Sequence, residues 1–167
     1  MGGFYSILLI TNGIGNEEKK CTYYEQSINE GNGMLICNKN KLEDKQLKSF
    51  QKKSEVIVTK LSNYIPYISD KNIALIKLDI EGGEEEAIKS GIELVTKYHV
   101  PFIFIEFSPI FLKEHGTVPK QFVQLMVDSG YYINTKSFLD KNYLSIEEFL
   151  EQAKIQINTY FIYKDAI

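Results

Sequence analysis

The sequence has no arginine and no tryptophan, and all 19 of its basic residues are lysine. Planar, two-pronged recognition of phosphate or carboxylate by guanidinium is therefore excluded, leaving ammonium groups, hydroxyls and backbone amides for that task. Acidic residues outnumber basic ones by 22 to 19, a net charge of −3. Without a basic surplus there is no electrostatic case for nucleic acid as a partner. Only two cysteines occur, Cys21 and Cys37, and they lack metal-ligand spacing. Ordinary reduced thiols are expected. No apolar run approaches the roughly 18 residues that a membrane span requires. The apolar stretch 4–10 has neither a preceding basic residue nor a small-residue cleavage site. No membrane partner and no signal peptide are expected, and the default location is cytoplasmic.

What the sequence does contain is material for a core: 167 residues, 44% hydrophobic and 13% aromatic. That suits one α/β domain spanning 1–167. Its central stretch runs from Ile73 to Gly91. Ile73, Ala74, Leu75, Ile76 and Leu78 are a nearly continuous apolar run of strand length, as in a strand buried on both faces of a parallel sheet. Gly82 and Gly83 break it. Glu84, Glu85 and Glu86 then fall in the first turn of a helix, at the positive end of its dipole, and Gly91 marks the helix end.

Lys77 and Asp79, two apart, share a face near the carboxyl end of that strand. Glu81 follows on the same side if the chain stays extended. Open α/β sheets bind ligands at the carboxyl ends of their strands. The plainer alternative is a strand-end ion pair between Lys77 and Asp79 followed by a helix start, and the residues alone leave both open. A second apolar strand, 102–107, lies one helix downstream, which suits a parallel, right-handed crossover. Glu106 would then end near the same edge, either as a water-exposed strand end or as a ligand contact. His115, in the next loop, is a proton shuttle or, more commonly for a lone loop histidine, simply solvated.

Elsewhere, residues 7–10 read as a strand, and Gly13-Ile14-Gly15 is nominally G-x-G. No amphipathic helix follows it, so strand–turn–strand is expected, returning at Cys21-Thr22-Tyr23-Tyr24. Residues 29–33 read as a loop, the lysine-rich 39–53 as a solvated helix or loop, and 56–59 as a β-branched strand. A short helix covers 61–67. Pro119 opens a helix carrying Phe122, Leu125 and Met126 that stops at Gly130. A strand follows at 131–133. Ser145 and Glu148 have capping-box spacing, with Leu144 and Phe149 placed as a staple, for a helix to about Lys154. Residues 157–163 make a closing strand.

IKLDIEGGEEEAIKSG resembles the strand-four signature I-K-x-D-x-E-G-x-E of FkbM-type S-adenosylmethionine-dependent methyltransferases. Ile76, Lys77, Asp79, Glu81, Gly82, Glu84 and Ile88 fall on the pattern, with Gly83 in place of the usual Ala. PFIFIEFSP at 101–109 resembles the family's next strand, and the segment around Gly13 its N-x-A-I-G strand. Leu61-Ser62 stands where the family carries Leu-Asp. The resemblance implies a Rossmann-like class I methyltransferase sheet, mostly parallel. It also implies S-adenosylmethionine as cofactor and O-methyl transfer to a small-molecule or glycan-like acceptor. Asp79, Glu81 and Lys77 are the implied catalytic residues: the carboxylates attract the sulfonium or take a proton, and Lys77 holds Asp79 ionised. Asp79 and Glu106 are the implied cofactor contacts. A divalent metal on Asp79, Glu81 and Glu106 ranks below this, because no histidine or further spaced carboxylate accompanies them, and no metal is expected.

The glycine-rich turn and the acidic strand end through which this class grips its cofactor are not found ahead of Ile7. The expectation is a partial, N-terminally truncated domain that alone binds S-adenosylmethionine weakly or not at all. Its apolar edge beside 73–78 would be uncovered, open to self-association or a partner chain. A second class of function stays open: a noncatalytic α/β interaction module retaining the later strands of the fold.

Overall fold

β-Branched residues favour a pleated, half-buried surface, and Val56, Ile57, Val58 and Thr59 close the longest strand among the described residues. The structure is a computed structural model that describes residues 9–26, 29–37, 50–68 and 73–166. These residues fall into two units, Met1–Thr59 and Lys60–Ile167. The first contains β1 (Gly13–Ile14), β2 (Lys19–Gln26), β3 (Asn29–Ile36) and β4 (Phe50–Thr59), in the order β1-β4-β2-β3. β1 runs parallel to β4, and the other two pairings are antiparallel.

Several expectations for this unit are corrected. Leu9 and Ile10 lie outside any strand, Leu9 exposed, while Ile7 and Leu8 fall outside the described residues. The parallel pairing begins at Gly13, where a Cβ would come within 2.8 Å of the Leu35 side chain. Residues 29–33 are part of β3 rather than a loop, because pairing with β2 (Gln26↔Asn29, Glu25↔Gly33) overrides the low strand preference of Asn and Gly. Residues 39–49 are outside the described residues, but 50–53 belong to β4, not to a surface helix or loop. There the pairing with β2 is joined by a 2.8 Å ion pair between Lys53 and Glu25.

Cys21 and Cys37 are disulfide-bonded, not reduced thiols. The antiparallel register that sets Thr22 against Ile36 brings the two cysteines together one step further along, with Cα atoms 4.1 Å apart. A separation of 16 residues conceals that neighbourhood in the sequence.

The second unit starts with a 3-10 turn, Leu61–Tyr64, running into α1 (Ile65–Ile68). There follow β5 (Leu75–Leu78), α2 (Glu84–Ser90), α3 (Glu93–Thr96), β6 (Phe102–Phe107), α4 (Pro109–Glu114) and α5 (Pro119–Asp128). β7 (Tyr131–Asn134), α6 (Ile146–Gln152) and β8 (Ile157–Tyr163) complete it. The sheet order is β5-β6-β8-β7. β5 and β6 are parallel neighbours, as the two apolar runs joined by a helix predict. The sheet is mixed: the expected parallel pairing is met at β5 and β6, while β8 lies between β6 and β7 and runs antiparallel to both.

Alternation along β6 buries Ile103, Ile105 and Phe107 and leaves Phe102, Phe104 and Glu106 half-buried. On the buried side Phe107 packs against Phe122 of α5 and Phe149 of α6, at ring separations of 6.4 and 4.9 Å. Burial of such rings is the largest apolar contribution a core of this size has. The capping box of Ser145 and Glu148 is present at the start of α6. β5 is not buried on both faces: Ile76 and Leu78 pack on the core, while Leu75 and Lys77 are exposed. Its position at the end of the sheet gives the reason, since among the described residues β6 is its one strand neighbour. No helix among the described residues is long and apolar enough to cross a membrane.

The disulfide closes a loop of 16 residues, a constraint on the unfolded chain worth about 3 kcal/mol. Replacing both cysteines with serine, or adding excess dithiothreitol, lowers the stability of the first unit by about that amount. Amide exchange along β2 and β3 measures it, and exchange unchanged by reduction counts against the bond.

Candidate functional site

β5 stops at Leu78, and the chain does not continue extended. Residues 80–83 make a tight turn in which the Gly83 amide donates to the Ile80 carbonyl at 3.2 Å. Glu81 therefore does not extend the strand face as expected; it sits at φ 52°, and Gly82 follows at φ 99°. A non-glycine residue in the left-handed region is uncommon and carries backbone strain. At Gly82 the glycine is needed twice over, because a Cβ would also meet the Phe111 carbonyl oxygen at 2.5 Å and the His115 ring at 2.9 Å.

Two carboxylates at the start of α2 secure this turn. Glu84 is only 1% exposed, and its Oε1 accepts from the amides of Ile80 and Gly82, each at 3.3 Å. Its Oε2 is buried without a hydrogen-bond partner. Glu85, also buried, accepts from the Thr117 hydroxyl at 2.9 Å and pairs with Lys89 at 3.0 Å. The segment that follows β6 is thereby fastened to the front of α2, and His115, at the end of α4, lies against Gly82. Dipole complementarity accounts for acids at this helix end, but nothing in the run Glu84–Glu85–Glu86 signals which of them are buried. Thr117 is 32 residues from its partner. His115, which the sequence leaves as a loop residue, is exposed but adjoins the acidic turn.

Asp79 follows β5 directly, and the register Leu78↔Ile105 carries it to the level of Glu106 at the end of β6. Glu81 joins them: its carboxyl is pushed above the usual carboxylate range, first by its own partial burial and then by the negative charges of Asp79, Glu106 and Glu84. Lys77 Nζ lies 3.1 Å from Asp79 Oδ2 with both side chains well exposed. Such a surface pair contributes at most about 1 kcal/mol. Among the described residues neither Glu81 nor Glu106 takes part in an ion pair. The result is an edge of three carboxylates, of which Asp79 alone is ion-paired among the described residues. Among the described residues no three of His, Cys, Asp and Glu are placed to share a metal ion.

Residues 4–133 of the chain match a family model, the methyltransferase FkbM domain. No curated protein and no solved structure gave a match.

A raised Glu81 carboxyl has a definite sign in stability. Its contribution is fully present below the unfolded-state value and is lost as pH rises through the folded-state value, so the ionised group opposes folding at neutral pH. Glu81→Gln accordingly raises the melting temperature at pH 7, by about 2 °C or less for so exposed a group, and leaves it unchanged at pH 3. An equal shift at both pH values would refute the like-charge account.

Proposed function

The chain belongs to the FkbM methyltransferase domain family, and from that premise we propose that it serves S-adenosylmethionine-dependent O-methyl transfer at the acidic edge of β5 and β6. The observation that carries this reading is the meeting of Asp79, Glu81 and Glu106 at the carboxyl ends of the parallel strand pair, within the matched segment.

S-adenosylmethionine, when bound, supplies an electrophilic methyl group on a positively charged sulfur. The charged part of the cofactor fits the edge, where carboxylates outnumber the lysine that faces them. Asp79 and Glu106 are its proposed contacts, attracting positive charge in a site of concentrated negative potential. Glu81, whose carboxyl titrates above its usual range, suits a proton acceptor toward an acceptor hydroxyl. Lys77, 3.1 Å from Asp79, is the proposed counter-charge that an incoming cation displaces. A small-molecule or glycan-like alcohol is the proposed acceptor class.

The match spans parts of both units, which supports treating 1–167 as a single methyltransferase-like domain. Gly13-Ile14-Gly15 lies in and just after β1 and opens no helix. Micromolar affinity corresponds to about −8 kcal/mol, and an exposed charge pair supplies about 0–1 kcal/mol, so weak binding by residues 1–167 alone is part of the proposal. A second copy or partner chain along β5 belongs to it too: among the described residues that strand ends its sheet, and Leu75 is 49% exposed. The same edge is what favours the second reading, a noncatalytic interaction module. A cytoplasmic location has the Cys21–Cys37 disulfide against it, since reducing compartments do not maintain such bonds.

Methyl-labelled cofactor at millimolar concentration, offered with a panel of hydroxylated sugars, tests the reaction. Asp79→Asn lowers transfer at least about tenfold while changing stability by less than about 1 kcal/mol. Unchanged turnover removes Asp79 from the mechanism, and no transfer to any acceptor favours the interaction module. Titration calorimetry of residues 1–167 with S-adenosylmethionine shows no saturable binding near micromolar concentration. Such binding by a monomer would place a complete cofactor site within these residues.

A further inference from the structure

The acidic edge depends on a conformation that the backbone resists. Glu81, on which the charges of Asp79 and Glu106 act, holds a left-handed position, and Gly82 beside it is left-handed too. Something must over-determine the turn. The 3.2 Å bond from the Gly83 amide to the Ile80 carbonyl closes it, and a second restraint acts on the amides within it. Glu84 supplies it: one carboxylate oxygen takes the amides on either side of Glu81, those of Ile80 and Gly82.

Helix-dipole complementarity is not a sufficient account of Glu84. A carboxylate in water serves that end, whereas Glu84 is 99% removed from solvent, as its 1% exposure shows, and leaves Oε2 without a partner. A buried oxygen with an unmet hydrogen bond opposes folding, so the residue is better explained by what Oε1 accomplishes. We infer that Glu84 is a positioning residue: its buried carboxylate locks the 80–83 turn and so presents Glu81 beside Asp79 and Glu106. The inference rests on the acidic edge being the reaction site proposed above. Glu84 itself touches no substrate in this scheme and acts through Glu81.

The test uses the full chain without cofactor or acceptor, so its outcome is separate from that of the methyl-transfer assays. In Glu84→Ala the amides of Ile80 and Gly82 exchange with solvent roughly tenfold faster or more, while those of Ile103 and Ile105 keep their protection. Glu84→Gln retains a side-chain oxygen at the same reach and restores most of the protection. The titration of the Glu81 carboxyl, followed by carbon NMR, separates position from charge. Both variants remove the Glu84 charge and leave Asp79, Glu106, Lys77 and His115 in place, so a purely electrostatic role shifts Glu81 equally in the two. Positioning moves its midpoint lower in Glu84→Ala than in Glu84→Gln, as Glu81 leaves the other carboxylates. Equal midpoints, or unchanged exchange at Ile80 and Gly82, overturn the inference. If Glu84→Ala does not fold, Glu84→Asp, one methylene too short to span both amides, takes its place: faster exchange at those two amides supports the inference and unchanged protection overturns it.

Discussion

The parallel pairing of β5 with β6 is the constraint on which the second unit depends. Parallel neighbours cannot be joined by a tight turn, so the chain must leave the sheet, run back as helix and return. α2 and α3 make that return journey, and their apolar residues Ile88, Leu94 and Val95 become part of the core. The same pairing puts the carboxyl ends of both strands at one edge. Asp79 and Glu106, 27 positions apart in the sequence, are neighbours for that reason alone. A shift of register by one residue would turn Glu106 to the face that now carries Ile105 and Phe107, so the buried aromatic contacts of Phe107 also fix the place of the acid beside it.

Much of this was legible because local signals agreed with the fold. β6 occupies the apolar run 102–107, and α2 lies between the glycine pair and Gly91. The capping box at Ser145 marks the start of α6, and Pro119 the start of α5. Each is a feature whose cause lies within a few residues. The misreadings have distant causes. β3 contains Asn29 and Gly33, poor strand formers, and exists through its pairing with β2. The cysteines meet through a register that no spacing rule reveals. β8 was readable as a strand, but its insertion between β6 and β7, which makes the sheet mixed, is a property of topology. At the candidate site Asp79, exposed, and Glu106, half-buried, lie where strand alternation puts them. No such rule singles out the buried Glu84, since three consecutive glutamates look alike until one is tied to the amides of a turn.

The edge runs counter to stability in three ways: like charges gathered around Glu81, a left-handed non-glycine residue, and a buried carboxylate oxygen left unmet. Each opposes folding. What offsets them lies in the packing around the turn. Thr117 is bonded to the buried Glu85, Gly82 is seated on the Phe111 carbonyl, and Phe107 packs on Phe122 and Phe149. Local conflict supported by a consistent surround is the pattern expected where a chain has a site to maintain.

Lysine as the sole cation shapes what the edge can accept. A guanidinium in the place of Lys77 would grip a carboxylate through two parallel bonds and resist displacement. Lys77 instead offers a flexible, well-hydrated point charge, exposed and bonded to Asp79 through one oxygen. Such a pair yields readily to competition, because in water it is worth little more than the hydration it replaces. An incoming cation that is poorly hydrated, as a sulfonium is, loses less solvation on approaching Asp79 than an ammonium does. The lack of arginine and the surplus of carboxylate thus act in the same direction: both leave carboxylate charge at the edge that no guanidinium covers.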